Sequence, residues 1–189
     1  MNTKKSNQIA TIAIFFATML VIHILSSVIF NILPFPIKPT IVHIPVIIAS
    51  IIYGPRIGAT LGGLMGILSM VHNTLFFLPT SYLFTPFVEN GSFYSVIIAV
   101  VPRILIGITP YFIYKWFQNR AGLVLAGAIG SMTNTVFVLG GIFILFKNVF
   151  EGNIQAMIAT VLGTNSIAEM IISAILTVAI VPVLQKAKK

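Results

Sequence analysis

The chain has no cysteine and no aspartate, and its only acids are Glu89, Glu151 and Glu169. Without thiols there is neither a disulfide framework nor a thiolate metal site. Without paired carboxylates there is no acid–base dyad. The Gly-x-x-x-x-Gly-Lys phosphate loop is missing, as are His-Glu-x-x-His and Gly-x-Ser-x-Gly. Nucleotide hydrolysis by a phosphate loop and the usual chemistry of membrane proteases and lipases are therefore excluded. His23, His43 and His72 fall on separate segments without metal-ligand spacing and are read as helix-packing residues. No catalytic residue, metal or cofactor is expected. Charge of either sign is also scarce: 7% of the 189 residues are charged against 58% hydrophobic, and the mean hydropathy is +1.06. A soluble domain of this size carries far more charge, so the composition is that of an integral membrane protein. Duplicated halves, common in secondary transporters, are not evident.

What is present is a series of apolar runs divided by short polar turns. They predict an all-α integral membrane protein, one domain over 1–189 with six transmembrane helices at about 9–30, 40–53, 57–72, 93–115, 121–146 and 154–184. The first run has no small-residue cleavage site after it and reads as a retained helix rather than a signal peptide. Asn31 to Pro39 holds three prolines and should be an extended, stiff loop. Gly54-Pro55-Arg56 is a tight turn. Gly58, Gly62 and Gly66 recur once per helical turn, which permits close backbone approach. The stretch Asn73 to Ser92 is a long loop carrying Phe76, Phe77, Tyr82, Phe84 and Phe87, a candidate lid. The net charge of +8 comes from basic residues scattered in ones and twos, with no basic face, so no nucleic-acid partner is implied. Their distribution instead sets topology. Lys4, Lys5, Arg56, Lys115, Arg120, Lys186, Lys188 and Lys189 fall on one side and only Lys38 and Lys147 on the other, which puts both termini in the cytoplasm.

One charge does not belong to a turn. Arg103 sits inside the apolar run from Phe93 to Tyr114, near mid-depth, where an arginine costs at least about 3 kcal/mol unless compensated. Other polar residues inside apolar runs are Asn134, Asn165 and Glu169, the last two sharing a helix face at four-residue spacing. Together they suit a small molecule bearing a carboxylate and hydroxyl or amide groups. The competing reading makes Arg103 and Glu169 a structural ion pair and the asparagines interhelical links. The two are compatible, since Glu169 can hold Arg103 while the remaining donors bind a ligand.

At this level the chain resembles the substrate-binding (S) component of an energy-coupling factor (ECF) vitamin transporter. The residues that carry the resemblance are the Ala-x-x-x-Ala of Ala13 and Ala17, Ile44-Pro45, Tyr53-Gly54-Pro55-Arg56-Ile57-Gly58-Ala59, the three spaced glycines and Pro102-Arg103. The resemblance covers essentially the whole chain. It implies high-affinity capture of a vitamin from outside. It also implies docking through Ala13 and Ala17 onto a module of one transmembrane coupling protein and two ATPases, with membrane lipid around it. The implied site lies in the outer half, lined by helices 4 to 6 and closed by the loops after helices 1 and 3. Thr80-Ser81-Tyr82-Leu83-Phe84-Thr85-Pro86-Phe87 and Val101-Pro102-Arg103-Ile104-Leu105-Ile106-Gly107 look most like the pantothenate-specific branch. On that reading the substrate-binding residues are Arg103, Asn134, Asn165, Glu169, Tyr82 and Phe84. Pyridoxine, a hydroxymethylpyrimidine or riboflavin would not require the arginine. A stand-alone secondary transporter is the alternative outside the family.

Overall fold

The computed structural model describes residues 3–32, 40–77, 80–146 and 152–188. Seven α-helices follow one another: α1 (Thr3–Ile32), α2 (Ile44–Tyr53), α3 (Pro55–Leu75), α4 (Phe93–Ile106), α5 (Thr109–Trp116), α6 (Arg120–Leu145) and α7 (Gly152–Ala187). A single 3-10 turn, Ser81–Leu83, lies between α3 and α4, and there is no strand among the described residues. Among the described residues four stretches are long and apolar enough to cross a membrane: Ser6–Ile29, Phe93–Trp116, Arg120–Leu145 and Asn165–Ala187. The chain is thus an all-α, multi-pass membrane protein.

The helix boundaries differ from the sequence expectation at places where proline and glycine act. α2 begins at Ile44 rather than residue 40, because Pro45 fits only in a first turn. Pro55 likewise opens α3, which runs on to Leu75. Between them Gly54 has φ of 97°, a conformation that costs a glycine little and lets one helix follow the other after a single residue. The expected helix over 93–115 is two helices. It breaks at Gly107 and Ile108, and Pro110 then starts α5 from within its first turn. α1 extends through Ile32, two residues into the expected proline-rich loop. The rest of that loop, Lys38 included, lies outside the described residues, as do Lys147 and Glu151 before α7.

α2 is the strut of the bundle. Its residues from Ile44 to Ile52 are all buried, as expected of a helix apolar on every side. Val46 and Ile47 pack with Met19 of α1, Leu61 of α3, Ile106 of α4, Leu123 and Ala126 of α6 and Val181 of α7 in one cluster. Lipid offers no hydrophobic gain for such contacts, so close fit and interhelical hydrogen bonds hold the helices together. Thr109 meets Thr133 at 3.3 Å across α5 and α6. Thr135 donates to Ser166 at 2.8 Å across α6 and α7. His43, fully buried, meets Ser173 of α7 at 2.9 Å.

α3 and α4 touch backbone to backbone. A Cβ built on Gly62 would stand 2.0 Å from the Arg103 carbonyl oxygen, and one on Gly58 2.1 Å from that of Gly107. Only glycine permits this approach, and it locks the register that puts Arg103 opposite Gly62.

Candidate functional site

The side chain of Arg103 is 8% exposed. Its Nη1 donates to the Ile98 carbonyl at 2.7 Å on its own helix. The Phe84 ring covers the guanidinium, with Cζ 5.4 Å from the centroid, a cation–π arrangement. Nε is buried and has no hydrogen-bond partner among the described residues. Among the described residues Arg103 forms no ion pair. The nearest candidate, Glu169, is engaged elsewhere: its Oε1 accepts the backbone N–H of Thr40 at 2.6 Å. The direct Arg–Glu pair considered from sequence is therefore not formed. Each charge holds a backbone group instead, and both face the same cavity.

That cavity has a volume of about 290 Å³, near the lower end of small-molecule sites. Arg103, Asn134, Asn165, Glu169 and Phe84 all line it, so five of the six expected binding residues converge. Asn134 presents a buried side-chain oxygen with no partner among the described residues. The Thr135–Ser166 bond fixes the register of α6 and α7 next to both asparagines. On α7 the residues at four-residue steps, Asn165, Glu169 and Ser173, form one inward stripe, with Glu169 and Ser173 buried.

The sixth residue, Tyr82, does not line the cavity. It packs edge-on against Phe146 at 6.1 Å, in the cluster of Leu83, Ile98 and Ile142 that closes one end of α4 and α6. Partial burial raises its hydroxyl above the ordinary tyrosine range, so it stays protonated at physiological pH. Of the candidate lid aromatics only Phe84 reaches the cavity. Phe76 lies against His72 at 4.9 Å between ring centroids, while Phe77 and Phe87 are exposed. The loop is nevertheless tied down: Thr85 meets Thr74 of α3 at 2.7 Å, and Thr80 lines the cavity beside Phe84.

Several wall residues escaped the sequence reading. His23 and His72 are in contact, Nε2 to Nδ1 at 3.2 Å, which accords with a packing role, yet both also line the cavity. Thr40, Ser69 and Asn73 join them. A lone histidine or serine on an apolar helix carries no signal of which cavity it will meet. Among the described residues no group of three potential metal ligands occurs. On the outer face of α1, Ala13 and Ala17 are both exposed.

A multi-pass helical protein whose internal chamber gathers a buried guanidinium, a carboxylate and two side-chain amides is fitted to bind a small polar molecule. More particularly, residues 7–184 match the family described as ECF transporter, substrate-specific component, and the chain belongs to that family. It is 45% identical to the pantothenic acid transporter PanT of Lactococcus lactis subsp. cremoris over 100% of this chain and 98% of that protein. It is 30% identical to the pantothenate transporter PanT of Leuconostoc mesenteroides subsp. mesenteroides over 79% of this chain and 78% of the relative.

Proposed function

We propose that the chain is the high-affinity capture subunit of an ATP-driven importer and that its substrate is pantothenate. The two relatives are named for that transport. The observation that carries the reading is the guanidinium of Arg103, buried at the cavity with Nε, like Asn134 Oδ1 on the same cavity, unpartnered among the described residues. Pantothenate is an anion with an amide and two hydroxyls. Arg103 is the partner for its carboxylate; Asn134 and Asn165 meet the amide and hydroxyls, and Glu169 accepts from a hydroxyl. Phe84 holds the guanidinium from the loop side.

Energy comes from outside the chain, which has no phosphate loop of its own. We take Ala13 and Ala17 as the close-approach face for a coupling protein that works with two ATPases, since small exposed residues four apart admit another helix. The domain is read as one unit of six spans with both termini cytoplasmic, from the excess of basic residues on that side.

The test is calorimetric titration of the purified chain in detergent with pantothenate, with pyridoxine and riboflavin as controls. Pantothenate alone should bind, at sub-micromolar concentration, and Arg103→Ala should weaken it by about tenfold or more, as for a lost hydrogen bond to a charged group. Binding of a neutral vitamin in its place would turn Arg103 into a structural residue. Binding of none would favour a stand-alone transporter.

A further inference from the structure

Pro102 lies inside α4, immediately before Arg103. A proline has no N–H, so within a helix the carbonyl four residues back loses its donor. Here that carbonyl belongs to Ile98, and the same oxygen receives Nη1 of Arg103 at 2.7 Å. The vacancy made by residue 102 is filled by the side chain of residue 103. In a membrane, helix-internal prolines are tolerated where another group satisfies the freed backbone. Ile98 is 1% exposed, so water does not reach it readily. Helical side chains lean toward the N-terminus, and Ile98 lies five residues back, about 7.5 Å along the axis. An arginine covers that distance; a shorter side chain does not.

We infer that Pro102 is a positioning residue for ligand binding. By withholding an N–H it creates an anchor that holds one arm of the Arg103 guanidinium, so that the rest of the group is aimed into the cavity. With alanine at 102 the helix would supply its own donor to Ile98, and the guanidinium would lose its purchase. The inference rests on the role proposed above for Arg103 as the carboxylate partner.

The test measures two ligands on the detergent-purified full chain: pantothenate, and pantothenyl alcohol, in which a primary alcohol replaces the carboxylate. Pro102→Ala should weaken pantothenate about tenfold while leaving the alcohol within roughly twofold, because the loss is confined to the charged contact. Thermal stability should hold or rise, since alanine suits a helix interior better than proline. Equal weakening of both ligands would mean general damage to the cavity and overturn the inference. Unchanged pantothenate binding by Pro102→Ala, beside an Arg103→Ala variant that abolishes the preference for the carboxylate, would overturn the role of Pro102 and leave that of Arg103 intact. An Arg103→Ala variant that binds both ligands normally would overturn both. Pro102→Gly also restores the N–H without adding a side chain at a buried position, and it is read the same way should the alanine variant not fold.

Discussion

Two adjacent glycines on α3 should answer the same substitution with opposite signs. Gly→Ala in a helix interior is worth about 0.5–1 kcal/mol from backbone entropy alone, and that gain is common to Gly62 and Gly63. At Gly63 the new methyl would find Ile104 Cγ1 at 3.9 Å, an ordinary contact. At Gly62 it would stand 2.0 Å from the carbonyl oxygen of Arg103 and 2.7 Å from its carbon. Both are backbone atoms, so neither can swing away. Relief requires α4 to retreat by about 1.4 Å, an overpacking strain of about 1–3 kcal/mol. Gly63→Ala should therefore raise the apparent melting temperature in detergent by about 1–4 °C. Gly62→Ala should lower it by up to about 8 °C. The displacement also carries Arg103 with it, so Gly62→Ala should weaken pantothenate binding while Gly63→Ala leaves it unchanged. Thermal unfolding followed by calorimetric titration reads both effects. A Gly62→Ala protein as stable as Gly63→Ala, with native affinity, would refute the backbone contact and the register it imposes on Arg103.

Removing Glu169 should weaken pantothenate and pantothenyl alcohol alike, by about tenfold, because Glu169→Ala deletes an acceptor for hydroxyls that both ligands keep; a loss confined to one of them in parallel titrations would contradict this. Asn134→Ala should reduce affinity several-fold yet leave thermal stability unchanged or slightly higher, since the deleted oxygen has no partner among the described residues. A clear drop in melting temperature would show that it serves the fold. Ala13→Trp should leave ligand binding intact and stop uptake by vesicles containing the complete importer, and normal uptake would remove α1 from the docking face.

The apolar runs revealed the helical membrane fold because span length and hydropathy are local properties. Arg103 and Glu169 stood out for the same reason: a charge inside hydrocarbon is conspicuous wherever its partner lies. Their partners were not legible. Both turned out to be backbone groups, the Ile98 carbonyl and the Thr40 N–H, and sequence pairing rules look for opposite side-chain charges. The break at Gly107 was hidden because α4 and α5 together have the length and hydropathy of one span. Tyr82 and Phe84, two residues apart on one loop, took different surroundings, the first a cluster with Phe146 and the second the guanidinium. That division follows from how the 3-10 turn folds against α3 and α4, a tertiary fact.

The interruption at Gly107 and Ile108 lets the two parts of one membrane crossing, which share α6 as a neighbour, take different second partners. α4 lies against α3, pinned through Gly58, Gly62 and Gly66. α5 packs on α2 and α6, where Pro110 fits against Gly130. The part that carries Arg103 is thus held between α3 and α6, while the other part ends in Lys115 and the exposed Trp116. Such residues anchor a helix at the lipid interface. Hydrophobic mismatch pulls on those anchors when the bilayer thins or thickens. Because the glycine contacts clamp α4 against α3, the depth of the guanidinium is set by protein, not by lipid. Affinity for the ligand should accordingly be nearly independent of acyl-chain length.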